Sequence, residues 1–147
     1  MPGSARTDVP LIFTHYGANF YLPYTLYQAK KSNPQTRCIL IGDNANKKIA
    51  AQSKWEHVVM SDINSKKCDH FNAKFRWIQG KKHNPIKGGK DWLRYVFERF
   101  FAIEEFIKTH NIENYWHFDS DTMILKDLKN FEQRLQEANI DCTTLCN

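Results

Sequence analysis

Long apolar runs are missing from this sequence of 147 residues. No stretch approaches the roughly 20 apolar residues that a membrane-spanning helix needs. Residues 1–8 also lack the apolar core of a signal peptide, and we expect them to form a disordered tail. The sequence therefore predicts a soluble, cytoplasmic protein, with peripheral contact to a membrane as a further expectation.

The chain also lacks the cysteine spacing of a zinc site. Its four cysteines, Cys38, Cys68, Cys142 and Cys146, contain no Cys-x-x-Cys pair. Buried thiols are the expectation that follows. By contrast, hydrophobic residues make up 41% of the chain and aromatic residues 14%, which is enough for one core and argues against disorder. We expect a single α/β domain over 9–147.

Three short apolar runs, at 9–15, 37–43 and 57–62, are almost continuous, which is typical of parallel strands covered on both faces. Between the first two runs, Leu22, Leu26 and Ala29 recur at helical spacing. Pro23 suits the first turn of that helix and Ser32-Asn33-Pro34 stops it. The pattern predicts a strand, a helix and a second strand.

The second half of the chain continues this alternation. Asp91 is a candidate N-cap for a helix that reaches about His110, with an inward stripe of Leu93, Val96, Phe97, Phe100, Ile103 and Ile107. Further elements are a short helix near 49–51, a strand ending at Asp119, a helix at 128–137 and a strand at 140–146. We therefore predict an α/β fold with a mostly parallel open sheet flanked by helices, of Rossmann-like type.

The net charge of +5 is concentrated in one segment. Residues 63–90 contain eight Lys or Arg residues and one acid, Asp69. Gly80, Asn84 and Pro85 lie in its second half, so we expect a long, partly mobile loop. Such a loop could close over a phosphate-bearing substrate, face an acidic membrane, contact nucleic acid, or simply be solvated.

Two carboxylates follow an apolar run at 115–118, where a strand is expected to end. Because residues two apart in a strand share a side, Asp119 and Asp121 could direct oxygens at one centre, with Ser120 turned away or offering its backbone. Hard cations such as Mg²⁺ and Mn²⁺ prefer these oxygens. The alternative is an ordinary strand end, where Asp and Ser mark a turn.

The ends of the predicted strands place more polar groups at the same edge. Thr14-His15-Tyr16 ends the first strand, Asp43 the second and Asp62 the third. Ligands of open parallel sheets bind at this edge. Arg99 shares the inward face of its helix and needs a partner there, which could be a diphosphate, the acidic pair or a structural ion pair. Arg94 lies on another face and is expected to be solvated.

These features resemble the nucleotide-diphospho-sugar glycosyltransferases of GT-A fold. The resemblance covers most of 9–146 and is most specific at 92–125, where FERFFAIEEF at 97–106 precedes Asp119-Ser120-Asp121. It implies transfer of a sugar from a UDP- or GDP-sugar to an acceptor hydroxyl, with Mn²⁺ or Mg²⁺ held by Asp119 and Asp121. It also implies a nucleotide pocket lined by Thr14, His15 and Tyr16, in which Asp43 contacts the base or ribose. We expect Arg99 and Ser120 to contribute to the same donor site.

The chain departs from this family after the acidic pair. No later metal ligand and no catalytic base can be identified, so we expect a truncated or domain-length chain whose acceptor, a glycan, lipid or protein, is unknown. Two alternatives are a non-catalytic binding module that uses segment 63–90 and a haloacid-dehalogenase-like phosphatase. The phosphatase fits less well because its motif continues to Thr or Val where this chain has Met123. No nucleic-acid partner is expected.

Overall fold

A computed structural model describes residues 9–75, 89–140 and 143 of the chain, and at 89–92 it describes the backbone alone. The expected tail at 1–8 lies outside the described residues, as does most of the expected strand at 140–146. Ile140, which is described, belongs to no strand and is half-exposed.

The predicted sheet is confirmed. Four strands, β1 (Leu11–Thr14), β2 (Cys38–Gly42), β3 (Glu56–Val59) and β4 (Trp116–Asp119), pair in parallel in the order β3-β2-β1-β4. The central strands β1 and β2 are buried throughout, as their continuous apolarity predicts. The edge strand β3 is shorter than expected and partly exposed, because Met60–Asp62 leaves the sheet in a 3-10 turn.

In the described part of the chain, five helices connect and cover the strands: α1 (Leu22–Ser32), α2 (Lys47–Gln52), α3 (Lys66–Lys74), α4 (Gly89–Thr109) and α5 (Lys129–Glu137). Helix α1 has its proline in the first turn and ends against Asn33, as predicted. Helices α2 and α5 lie where the sequence predicts them.

Apolar layers cover both faces of the sheet. On one face Leu11 and Phe13 pack with Leu22 and Leu26 of α1 and with Trp55. On the other, Ile12, Ile39 and Ile41 pack with Ile103 and Phe106 of α4. The alternation of side chains along β1 therefore divides the apolar residues between two cores, which is the three-layer arrangement of an α/β domain.

The prediction of one long loop over 63–90 is wrong for its first part. Lys66–Lys74 forms α3, because Ser65 caps the helix by accepting a hydrogen bond from the Cys68 N–H at 3.2 Å. Cys68 and Phe71, three residues apart, then face α4. Residues 76–88 lie outside the described part of the chain.

The predicted stripe on α4 is also partly wrong. Phe97 is 51% exposed and Phe100 is 50% exposed, whereas Ala102, Ile103 and Phe106 are buried. The buried arc instead follows Ile103 and Phe106, which pack against Ile12, Ile39 and Ile41 of the sheet.

Two further expectations concern membranes and thiols. Within 9–75, 89–140 and 143, no helix has both the length and the apolarity needed to cross a bilayer. Cys38 and Cys68 are buried, as expected.

Candidate functional site at the switch point of the sheet

The order of the strands creates a crevice beside β1. The chain adds β2 and β3 on one side of β1 and then returns to add β4 on the other side. In open parallel sheets, ligands bind at such a switch point, beyond the carboxyl ends of the two diverging strands. Thr14 and Asp119 are register partners there, so the segments that follow β1 and β4 lie side by side.

The acidic pair lies in a turn. Strand β4 ends at Asp119, and the Thr122 N–H donates to the Asp119 carbonyl at 2.9 Å, which closes a β-turn around Ser120 and Asp121. The alternation argument for Asp119 and Asp121 therefore does not apply, because the chain is no longer extended beyond Asp119. Both residues are exposed at the mouth of the crevice.

Arg99 has the partner that its position requires. Its Nη1 lies 2.6 Å from Asp119 Oδ1, and its side chain is only 16% exposed. Its Nε donates to the Val96 carbonyl at 3.1 Å, and the guanidinium lies 5.0 Å from the centre of the Phe100 ring. Of the partners that the sequence left open for Arg99, the structure shows Asp119 of the acidic pair. Arg94, expected to be solvated, instead pairs with Glu98 and donates to Asn72.

Ser120 points into the protein. Its Oγ lies 2.7 Å from Nδ1 of the buried His15, and its carbonyl accepts a 2.7 Å hydrogen bond from the Thr25 hydroxyl of α1. Of the two arrangements expected for Ser120, its side chain is turned into the protein, and its carbonyl is engaged by Thr25. These bonds fix the turn after β4 to the end of β1 and to α1.

Asp43, at the end of β2, is hydrogen-bonded to the loop that follows β1. Its two carboxylate oxygens accept backbone hydrogen bonds from Gly17, at 2.7 Å, and Ala45, at 2.9 Å. Asn46 completes the arrangement by accepting from the Asp43 N–H and donating to the Gly17 carbonyl. Gly17 has φ of +80°, a left-handed conformation that favours glycine. Asp43 thus shapes the loop after β1, and any contact with a base or ribose is additional to that role.

Two buried polar atoms in this region have no hydrogen-bond partner among the described residues: His15 Nε2 and Tyr95 Oη. Burial lowers the pKa of His15, although Asp43, the Gly17 backbone and Asp121 oppose the shift. Burial, together with the charge of Asp43, raises the pKa of Tyr95. Both side chains are therefore neutral near pH 7, and a buried polar atom without a protein partner is often satisfied by water or an ion.

Tyr16 and Thr14 occupy different environments. Tyr16 is 59% exposed, and its ring packs against Tyr95 with 4.9 Å between ring centres. Thr14 is buried, and its Oγ1 lies 3.4 Å from Nε2 of His117. Burial and the nearby Arg99 lower the pKa of His117 to about 4. Of these two, only Tyr16 offers a surface at the crevice mouth.

The carboxylate oxygens of Asp119 and Asp121 are the type of ligand that suits a hard cation whose other coordination positions are filled by water or phosphate. Two exposed carboxylates supply oxygen atoms alone, and Mg²⁺ and Mn²⁺ are commonly bound by one or two carboxylates with water and phosphate oxygens. Within the described part of the chain, no group of three or more His, Cys, Asp or Glu side chains converges. Asp119 Oδ1 is engaged by Arg99, which leaves Oδ2 of this residue and the carboxylate of Asp121.

Sequence reasoning missed Tyr95, Thr25 and His117. Tyr95 could have been found from its spacing, because it precedes Arg99 by one helical turn and so shares its face. Thr25 and His117 carry comparable signals, because Thr25 lies at helical spacing between Leu22 and Ala29 and His117 lies two residues before Asp119 in β4. Comparison of the chain with family models, with curated proteins and with solved structures finds no match.

Proposed function

We propose that this chain is a donor-binding domain of glycosyltransferase type that binds a nucleotide-diphospho-sugar together with a divalent cation. The observation that carries the proposal is the position of the Asp119-Ser120-Asp121 turn, which lies beside β1 at the switch point with Arg99 paired to its first carboxylate. The resemblance to GT-A enzymes supplies the choice of ligand.

The charges at the crevice mouth suit a diphosphate. Asp119 and Asp121 would hold Mn²⁺ or Mg²⁺. The bound metal ion would supply positive charge beside the leaving diphosphate. Arg99 would then exchange its carboxylate partner for a phosphate oxygen, a charge-assisted bond that a guanidinium favours. The exposed ring of Tyr16, which packs against Tyr95, would offer a stacking surface to a nucleoside beside the acidic turn.

Ligand-dependent stabilisation tests this proposal. Thermal unfolding is followed with UDP, GDP and their sugar conjugates, each with and without Mn²⁺. A ligand at 100 times its Kd that binds only the folded chain adds about 2.7 kcal/mol, or roughly 5–10 °C in Tm for a domain of this size. We expect such a shift only when nucleotide and metal are both present.

The variant Asp119→Asn/Asp121→Asn should lose the shift. The matched control Asp69→Asn/Glu113→Gln removes two exposed carboxylates outside the crevice and should keep it. A folded wild-type chain that shows no shift with any nucleotide, or an Asp119/Asp121 variant that responds as the wild type does, would contradict the proposal.

A further inference from the structure

A second surface of the molecule lies between α3 and α4. Here a groove of about 380 Å³ is lined by Lys66, Lys67, His70, Phe71, Lys74 and Phe101. The groove is distinct from the crevice, because Phe101 lies about 200° around α4 from Arg99. It belongs to the basic segment that the proposed function does not use.

The floor of the groove is aromatic. The Phe71 ring contacts the rings of Phe75, Phe97 and Phe101 at centre distances of 5.5, 6.5 and 5.4 Å. Phe97 is 51% exposed at its margin. Clustered, partly exposed aromatic side chains of this kind mark interaction surfaces.

The rim of the groove is cationic. Lys67 is paired with Glu104, which also pairs with Lys108. None of the ion pairs found among the described residues involves Lys66 or Lys74, and both are exposed. Asp69 is the one acid on α3. Lysine stems can lie along an apolar surface while their ammonium groups reach outward to anions.

We propose that the groove between α3 and α4 docks the domain on an anionic lipid surface. The aromatic floor matches the acyl and glycerol region, and the rim lysines match the lipid phosphates, as in helices that lie in a membrane interface. A free phosphate would contact only the rim lysines, whereas a lipid surface can contact both the lysines and the aromatic floor. Nucleic acid is a poorer fit because the rings of Phe75, Phe97 and Phe101 are each tilted by 43–47° from the Phe71 ring and so form no parallel stacking platform with it.

Vesicle co-sedimentation of the full chain tests the proposal, which does not depend on the proposed function. We expect binding to vesicles of phosphatidylglycerol and phosphatidylcholine but not to phosphatidylcholine alone. Each rim lysine contributes roughly a fivefold effect on partitioning, so Lys66→Gln/Lys74→Gln should weaken binding about 25-fold. Phe97→Ser should also weaken binding, and this loss should persist at high salt.

The matched control is Lys47→Gln/Lys48→Gln, which removes two exposed lysines from α2 on the opposite face of the sheet. It should bind as the wild type does, and circular dichroism should show all variants folded. If the two double-lysine variants lost vesicle binding equally, the proposal would be overturned, because net charge alone would then explain the binding. Equal binding to neutral vesicles, or tighter binding of an oligonucleotide that depends on Lys66 and Lys74, would also overturn it.

Discussion

Asn33→Ala should destabilise the protein by more than a surface change, because one buried amide holds α1 to the chain that follows the acidic turn. Asn33 is 1% exposed at the C-terminal end of α1. Its Nδ2 donates to the carbonyls of Ala29, at 3.1 Å, and Lys126, at 3.2 Å, and its Oδ1 accepts from the Leu128 N–H at 2.8 Å.

The size of the effect follows from the groups left unpaired. The Ala29 carbonyl keeps its bond from the Asn33 backbone N–H, and the Lys126 carbonyl is only partly buried, so water can replace the lost donor. The buried Leu128 N–H has no such replacement, and an unsatisfied buried donor costs about 1–3 kcal/mol. With the loss of the other bonds, we expect the free energy of unfolding to fall by about 2–3 kcal/mol.

Urea unfolding followed by circular dichroism measures this change. The midpoint should fall while the dependence on urea concentration stays the same, because the surface exposed on unfolding is unaltered. Asn130→Ala, on the exposed side of α5, is the control and should change stability by less than about 0.5 kcal/mol. A loss for Asn33→Ala as small as that of the control would refute the reasoning.

Two other changes test the packing around the crevice. Gly42→Ala should lower the free energy of unfolding by about 1–3 kcal/mol, because a Cβ there would collide with the Asn46 side chain and lie 2.8 Å from the His15 carbonyl oxygen. A urea unfolding midpoint equal to that of the wild type would contradict this prediction. His117 should make the metal-free protein acid-sensitive. Its pKa is lowered to about 4 in the folded state, so its contribution is complete above its unfolded pKa of 6.5 and is lost as the pH falls toward 4. Relative to the His117→Gln variant, the free energy of unfolding of the wild type should fall by about 2 kcal/mol between neutral pH and about pH 5. If the free energies of unfolding of the two proteins changed with pH in the same way, the prediction would be wrong.

Local patterns predicted much of the fold. The continuous apolarity of β1 and β2 predicted buried parallel strands, and Pro23 and Asn33 marked the two ends of α1 correctly. Helix α3 was missed because the loop signals Gly80, Asn84 and Pro85, which lie in the second half of the segment, were extended to its first half, although Ser65 is a recognisable cap. The orientation of Phe97 and Phe100 was misjudged because the period of a helix does not reveal how much of its length another layer covers.

The sequence by itself determined most of the helices and strands, their order along the chain, and the polar and acidic residues at the strand ends. These features depend on local sequence patterns, such as continuous apolar runs and helix caps. It also determined that Arg99 needs a partner. Only the tertiary structure decided that this partner is Asp119 and that Ser120 reaches His15 across 105 positions. It also buried the Tyr95 hydroxyl, which has no hydrogen-bond partner among the described residues. These contacts depend on the order β3-β2-β1-β4, which places β4 beside β1, and the pairing of distant strands is set by the packing of the whole chain.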